Sequence, residues 1–79
     1  MIHRFVVEVM PREVILDTQG RAVEKTLRLQ DQAIHACRVG KRIELEIEGE
    51  LSQAELRAKA IAEQILHNPL IENFSVKKI

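Results

Sequence analysis

The sequence has no tryptophan and no tyrosine, and Phe5 and Phe74 are its only aromatics. A sheet that reads single-stranded RNA stacks bases on displayed aromatic rings, so that mode is excluded. An excess of one charge is missing too. Twelve basic residues face twelve acidic ones, and the signs alternate rather than forming blocks. There is thus no electrostatic reason to expect nucleic acid or an anionic membrane as partner. Cysteine is down to Cys37, which rules out an intrachain disulfide and suits a reducing compartment. No apolar run reaches the ~20 residues of a membrane span, and the N-terminus has no long apolar stretch. The expectation is a soluble, cytoplasmic protein. Only three glycines are present, and neither G-x-x-x-x-G-K-[ST] nor G-x-G-x-x-G occurs, so a glycine-rich phosphate cradle is excluded.

What is present fits one domain spanning residues 1–79. A domain this small buries only ~60% of the surface its unfolded chain exposes. Its core must come from Val, Ile, Leu and Ala. Small aliphatic domains gain stability by self-association, so a homodimer or higher homo-oligomer is expected.

The clearest pattern lies between Arg38 and Gly49. Ile43, Leu45 and Ile47 alternate with Glu44, Glu46 and Glu48. Period two over a β-branched run is a strand with one dry and one wet face. Ahead of it, Ile2–Met10 reads as a strand with Phe5, Val7 and Val9 on one face, stopped by Pro11. Val14, Ile15 and Leu16 form an apolar run inside a loop. They either close the core or meet another subunit.

Asp17 is a good N-cap for a helix over Thr18–Leu29, with Ala22, Val23, Thr26 and Leu27 as its inner stripe. Gly20 in its first turn costs ~1 kcal/mol against alanine unless something packs closely there, another chain included. After a short connection, Ile34–Val39 reads as a weaker strand. Gly40-Lys41 then fits a two-residue hairpin turn, the alternative being one long strand bulged at Gly40. Ser52 and Glu55 have capping-box spacing and open a helix through His67. Ala54, Ala58, Ile61 and Ile65 form its stripe, widened by Ala62 and Leu66. Asn68-Pro69 ends it, and Glu72–Lys78 is a last strand. The predicted order is β-α-β-β-α-β, an α+β fold with two helices on one face of an antiparallel sheet.

Chemistry-bearing groups are sparse. Ser52 and Ser75, the only serines, lie in a cap and a strand, and neither sits in a nucleophile elbow. His35 and Cys37 share a strand face, but a closed metal site needs about four ligands and no others are near. Cys37 also has no histidine-asparagine partnership in view. The glutamate row reads as a solvated face crossed by Arg and Lys, or as a surface for a basic partner. No catalytic, cofactor-binding or metal-ligating residue is expected. The same element order occurs in dimeric regulatory modules that bind small molecules, and this stays open as an alternative.

Three local patterns together resemble one family. They are Ile15-Leu16-Asp17-Thr18-Gln19-Gly20-Arg21-Ala22-Val23, Arg38-Val39-Gly40-Lys41-Arg42-Ile43-Glu44-Leu45, and Ile65-Leu66-His67-Asn68-Pro69-Leu70-Ile71-Glu72. In register, they are similar to PurS, the small subunit of phosphoribosylformylglycinamidine synthase. Thr18 stands where that family often has proline. The resemblance implies a non-catalytic assembly subunit in purine biosynthesis. It would bridge a PurL synthetase and a PurQ glutaminase and assist ammonia transfer. ATP and Mg would be used by the complex and not by this chain. Asp17, Gln19, Gly20, Arg38, Gly40 and Lys41 are the expected subunit-contact residues.

Overall fold

The computed structural model describes residues 1–13 and 17–79. Its elements are β1 (Ile2–Pro11), α1 (Thr18–Arg28), β2 (Lys41–Glu48), α2 (Leu51–Ile61), a π-helical turn (Ala62–Leu66) and β3 (Glu72–Lys78). The Val14–Leu16 run lies outside the described residues. Among those residues the sheet is antiparallel in the order β2-β1-β3. Phe5 stands opposite Leu45 and Lys78; Val7 stands opposite Ile43 and Val76. The α+β class, the antiparallel sheet and the two long helices stand as read from the sequence.

The core lies between the sheet and α2. Phe5, Val7 and Val9 are fully buried beneath Ala54, Ala58 and Ala62. Ile43, Leu45, Ile47, Phe74 and Val76 pack around them, each only partly covered. The alanines let α2 sit close, where larger residues would hold it off. The helix begins two residues earlier than the capping-box spacing, with Ser52 as N-cap, predicts. Glu50 takes the N-cap position without a side-chain cap bond, and Ser52 Oγ donates to Glu50 Oε1 at 3.0 Å instead. Near its other end the π turn adds one residue per turn. That rotates Ile65 out to 74% exposure, against the inward position expected, and leaves Leu66 against the core.

The opposite face of the sheet is wet. Arg4 and Arg42 approach Glu44 at 3.6 and 3.2 Å. Val6, in register between Glu44 and Lys77, is buried among them. The glutamate row is thus a solvated face crossed by arginines.

One expected strand is not paired. Ile34–Val39 carries no strand pairing among the described residues, and there is no turn at Gly40-Lys41. The register gives the reason. The last pair of β1 with β2 is Val9 with Lys41, and β1 ends at Pro11. The chain enters β2 through Gly40 without turning, and the register sets Val39 opposite Pro11, so residues before Val39 overshoot β1. The helix before them is displaced accordingly. Among the described residues α1 does not pack on the sheet of its own chain, and Ala22, Val23, Thr26 and Leu27 are exposed. The backbone spans 49 × 25 × 13 Å with a radius of gyration of 15.9 Å. A compact chain of this length would have about 12 Å. Residues 17–40 form an arm.

Candidate functional site

The arm is built at its root by one carboxylate. Asp17 caps α1 by accepting from Gly20 N–H at Oδ1 (2.8 Å). Its Oδ2 accepts from Val39 N–H at 2.9 Å, twenty-two residues away. These two backbone donors, Gly20 first, hold the Asp17 carboxyl below its ordinary value of 3.8; the Arg38 charge adds to the effect and partial burial opposes it. Gly20 is buried beneath this junction. A Cβ there would lie 2.6 Å from the Cys37 carbonyl oxygen and closer still to Asp17 Oδ2. The partner that the sequence demanded at Gly20 is thus this chain's own returning segment. At the far end of α1, Arg28 donates from Nε to Ile34 O and from Nη2 to His35 O, both at 2.8 Å. The segment from Ile34 to Val39 is therefore tied along the helix at both ends.

Two further contacts fix the arm to the sheet. The Arg38 guanidinium donates to the Pro11 carbonyl. Gly40 passes so close to β1 that a Cβ would overlap Met10 Sδ and the Val9 carbonyl oxygen. Its role is close approach, not a hairpin turn.

The loop before β3 closes on the same end of β1. Arg12 donates from Nε and Nη2 to the Pro69 carbonyl at 3.2 and 2.8 Å, and its N–H donates to Ile71 O at 2.8 Å. Asn68 N–H donates to Glu72 Oε1 at 2.7 Å, and Asn68 Oδ1 accepts from Leu70 N–H at 3.0 Å. Lys41 Nζ reaches Glu72 Oε2 at 3.8 Å, crossing the end of β1 from β2 to β3.

The result is a cleft of about 440 Å³ lined by the arm root (Asp17, Thr18, Gln19), the start of β2 (Val39, Gly40, Lys41) and Pro11, Ile71 and Glu72. Asp17, Gln19, Gly40 and Lys41 line it; Gly20 lies beneath its arm wall, and Arg38 fastens its base. All six residues singled out in the sequence thus gather at one end of the molecule. Glu72 and Arg12 belong with them and were not singled out. Glu72 closes the third family-like pattern, which was a usable signal. Arg12 has no signal in the sequence, because its partner is a carbonyl fifty-seven residues away.

The cleft is not equipped for proton transfer. Asp17 spends both oxygens on backbone donors, and Glu72 divides its own between Asn68 N–H and Lys41. Among the described residues no group of three or more His, Cys, Asp or Glu is placed to hold a metal. No described helix is long and apolar enough to cross a membrane. What the cleft offers is shape, lined by the apolar Pro11, Val39 and Ile71 together with the polar Thr18, Gln19 and Lys41.

Comparison with known proteins gives a consistent result. The family model described as PurS, phosphoribosylformylglycinamidine (FGAM) synthase, matches residues 4–79. The chain is 43% identical over 76 residues to phosphoribosylformylglycinamidine synthase subunit PurS from Mycobacterium leprae, covering 95% of this chain and 94% of that one. The solved structure of PurLQS from Thermotoga maritima contains a chain similar to this one, with a TM-score of 0.91 at 30% identity over 100% of this chain and 99% of that one. PurS from B. subtilis gives a TM-score of 0.85 at 30% identity, over 100% and 99%.

Proposed function

The chain belongs to the PurS family of FGAM synthase, and from that premise we propose that it is the assembly subunit bridging a PurL synthetase to a PurQ glutaminase. In this reading it is cytoplasmic, its residues 1–79 act as one domain, and it works as a homodimer or higher homo-oligomer. The complex amidates formylglycinamide ribonucleotide with ammonia from glutamine, using ATP and Mg on the large subunit. This chain supplies contact surface and helps ammonia pass, with no cofactor of its own.

One observation carries the reading. Three stretches far apart in the sequence converge on one exposed cleft whose acids are already engaged by backbone donors. Such a site suits a partner's loop better than a reaction. Asp17, Gln19, Gly20, Arg38, Gly40 and Lys41 are the contact residues, with Asp17, Gly20 and Arg38 holding the wall that Gln19 and Lys41 present.

Co-purification with PurL and PurQ in ATP and glutamine tests this. Gln19→Ala combined with Lys41→Glu should weaken capture of the larger subunits while leaving the circular dichroism spectrum unchanged. If PurL and PurQ assemble and turn over glutamine-dependent product equally well without this chain, the reading is wrong. The cleft's size also falls in the range of small-ligand pockets. A thermal-shift panel of amino acids and nucleotides decides that alternative. A ligand at a hundred times its Kd would stabilise by ~2.7 kcal/mol, and no such shift is expected.

A further inference from the structure

The loop between the π turn and β3 carries its apolar residues outward. Pro69, Leu70 and Ile71 are all exposed, Leu70 to 81%. Loop tips are ordinarily polar and mobile, so an apolar one is free to fold back. This one is held.

Every backbone N–H from Asn68 to Glu72 has a partner within the loop, Pro69 having none to offer. Asn68 N–H donates to Glu72 Oε1, and Leu70 N–H donates to Asn68 Oδ1. Ile71 and Glu72 donate to the Asn68 carbonyl at 3.1 and 2.8 Å. Arg12 clasps the loop on both sides of Leu70. Its guanidinium donates twice to the Pro69 carbonyl, and its N–H donates to Ile71 O. Turning Leu70 inward would break this clasp.

The surroundings indicate what the tip meets. Ile71 and Glu72 also line the cleft, so tip and cleft form one continuous surface. Asp17 and Glu72 are half-buried, and their oxygens are engaged by backbone N–H groups and Lys41. Of the charged residues that hold or line this surface, the exposed ones are the cations Arg12, Arg38 and Lys41; Glu13, beside Arg12, is the exposed acid. The accessible balance is positive around an apolar tip. Its complement is a socket with an apolar base and carboxylates at its rim. A tip fixed in advance also loses no ordering freedom on docking.

We propose that the Asn68–Glu72 loop is a preformed tooth. Leu70 enters an apolar, carboxylate-rimmed socket on one of the two larger subunits, and Arg12 is the positioning residue that holds the tooth out. This rests on the bridging reading above and names the residue that seats the bridge. The cleft beside the tooth then receives the edge of the socket against Gln19 and Lys41.

The test titrates capture of this chain by PurL and PurQ in ATP and glutamine. Leu70→Asp should raise the concentration for half-maximal capture by ~10–100-fold, the worth of one buried leucine. Its circular dichroism and its mass by light scattering should match wild type. Leu56→Asp, at a leucine 68% exposed on α2, is the control and should be captured as wild type is. Should Leu70→Asp fail to fold, Leu70→Ala decides on the same readout. Arg12→Met should weaken capture alone yet add nothing to Leu70→Asp, because it acts through Leu70; a further loss in the double variant overturns its role. Capture of Leu70→Asp equal to wild type, or an equal loss for Leu56→Asp, overturns the tooth and leaves the bridge standing. A fall in the mass of Leu70→Asp gives the loop to a second copy of the chain and also overturns it. No capture of wild type overturns both.

Discussion

Replacing Gly20 by alanine reverses a familiar rule. In an open helix this change stabilises by ~1 kcal/mol, since glycine loses the most backbone freedom on folding. Gly20 sits in the first turn of α1, where that gain would ordinarily apply. But the new Cβ would lie 2.6 Å from the Cys37 carbonyl, and 3.4 Å is where ordinary contact begins. The carbonyl must retreat by roughly 0.8 Å, and Asp17 Oδ2 must leave its place on Val39 N–H. Forcing a methyl into packed backbone costs ~1–3 kcal/mol. The lost Asp17 to Val39 hydrogen bond adds ~1 kcal/mol, which offsets the helix gain, so the net expectation is a loss of ~1–3 kcal/mol. With a urea m-value of ~1 kcal/mol/M for a small domain, the midpoint should fall by ~1–3 M. The assay is urea unfolding followed by circular dichroism at one fixed protein concentration, because self-association makes stability concentration-dependent. The exposed neighbour Gln19→Ala serves as the control. A midpoint for Gly20→Ala equal to or above wild type would refute the close packing of the arm on its own helix.

Three further outcomes follow from the same geometry. The folded Asp17 carboxyl titrates below 3.8, so its stabilising hydrogen bonds are fully present above that value and fade as pH falls through the lower folded one. Wild type should therefore lose more stability between pH 4 and pH 2 than Asp17→Asn; parallel losses in urea titrations would contradict the cap. The π turn predicts that Ile65→Ala stays within ~0.5 kcal/mol of wild type, whereas Leu66→Ala costs ~1–2 kcal/mol. The reverse order in thermal unfolding would mean that the α-helix continues unbroken to Leu66. Ala58→Leu, at a fully buried contact with Phe5, should destabilise by ~1–3 kcal/mol, measured as a lower Tm.

The sequence carried the local elements well, because local chemistry makes them. Alternation at Ile43, Leu45 and Ile47 marked β2, and Asp17 marked the start of α1. Asn68-Pro69 marked the end of the second helix. The position of the arm was not legible, because it depends on register. That β1 stops opposite Val39, so the residues from Ile34 to Arg38 run past it, is a relation between two strands, and periodicity within one strand does not contain it. The capping box failed for a related reason. Ser52-x-x-Glu55 has the right spacing, but Glu50 already occupies the turn that Ser52 would cap, and spacing cannot choose between adjacent starts. Ile65 left the inward stripe while Leu66 stayed on it, because a single π turn shifts the helical phase by one residue. The candidate site was read one segment at a time, and each segment contributed residues that meet at one rim. Its fastening by Arg12 was hidden, since an arginine bonded to a distant carbonyl looks like any surface charge.

The place of β1 at the centre of the sheet bears on how the chain acquires its structure. β1 pairs with β2 on one side and β3 on the other, across 29 residues (12–40) and 60 residues (12–71) of intervening chain. At ~5–20 residues per second, β3 follows β1 from the ribosome by several seconds. During that interval Phe5, Val7 and Val9 lack their full cover, and β1 presents an unpaired edge. Such long-range pairing makes folding slow for so small a protein. The nascent chain is thus most prone to mispairing through its first strand, and an early encounter with a second copy or with a chaperone would act there.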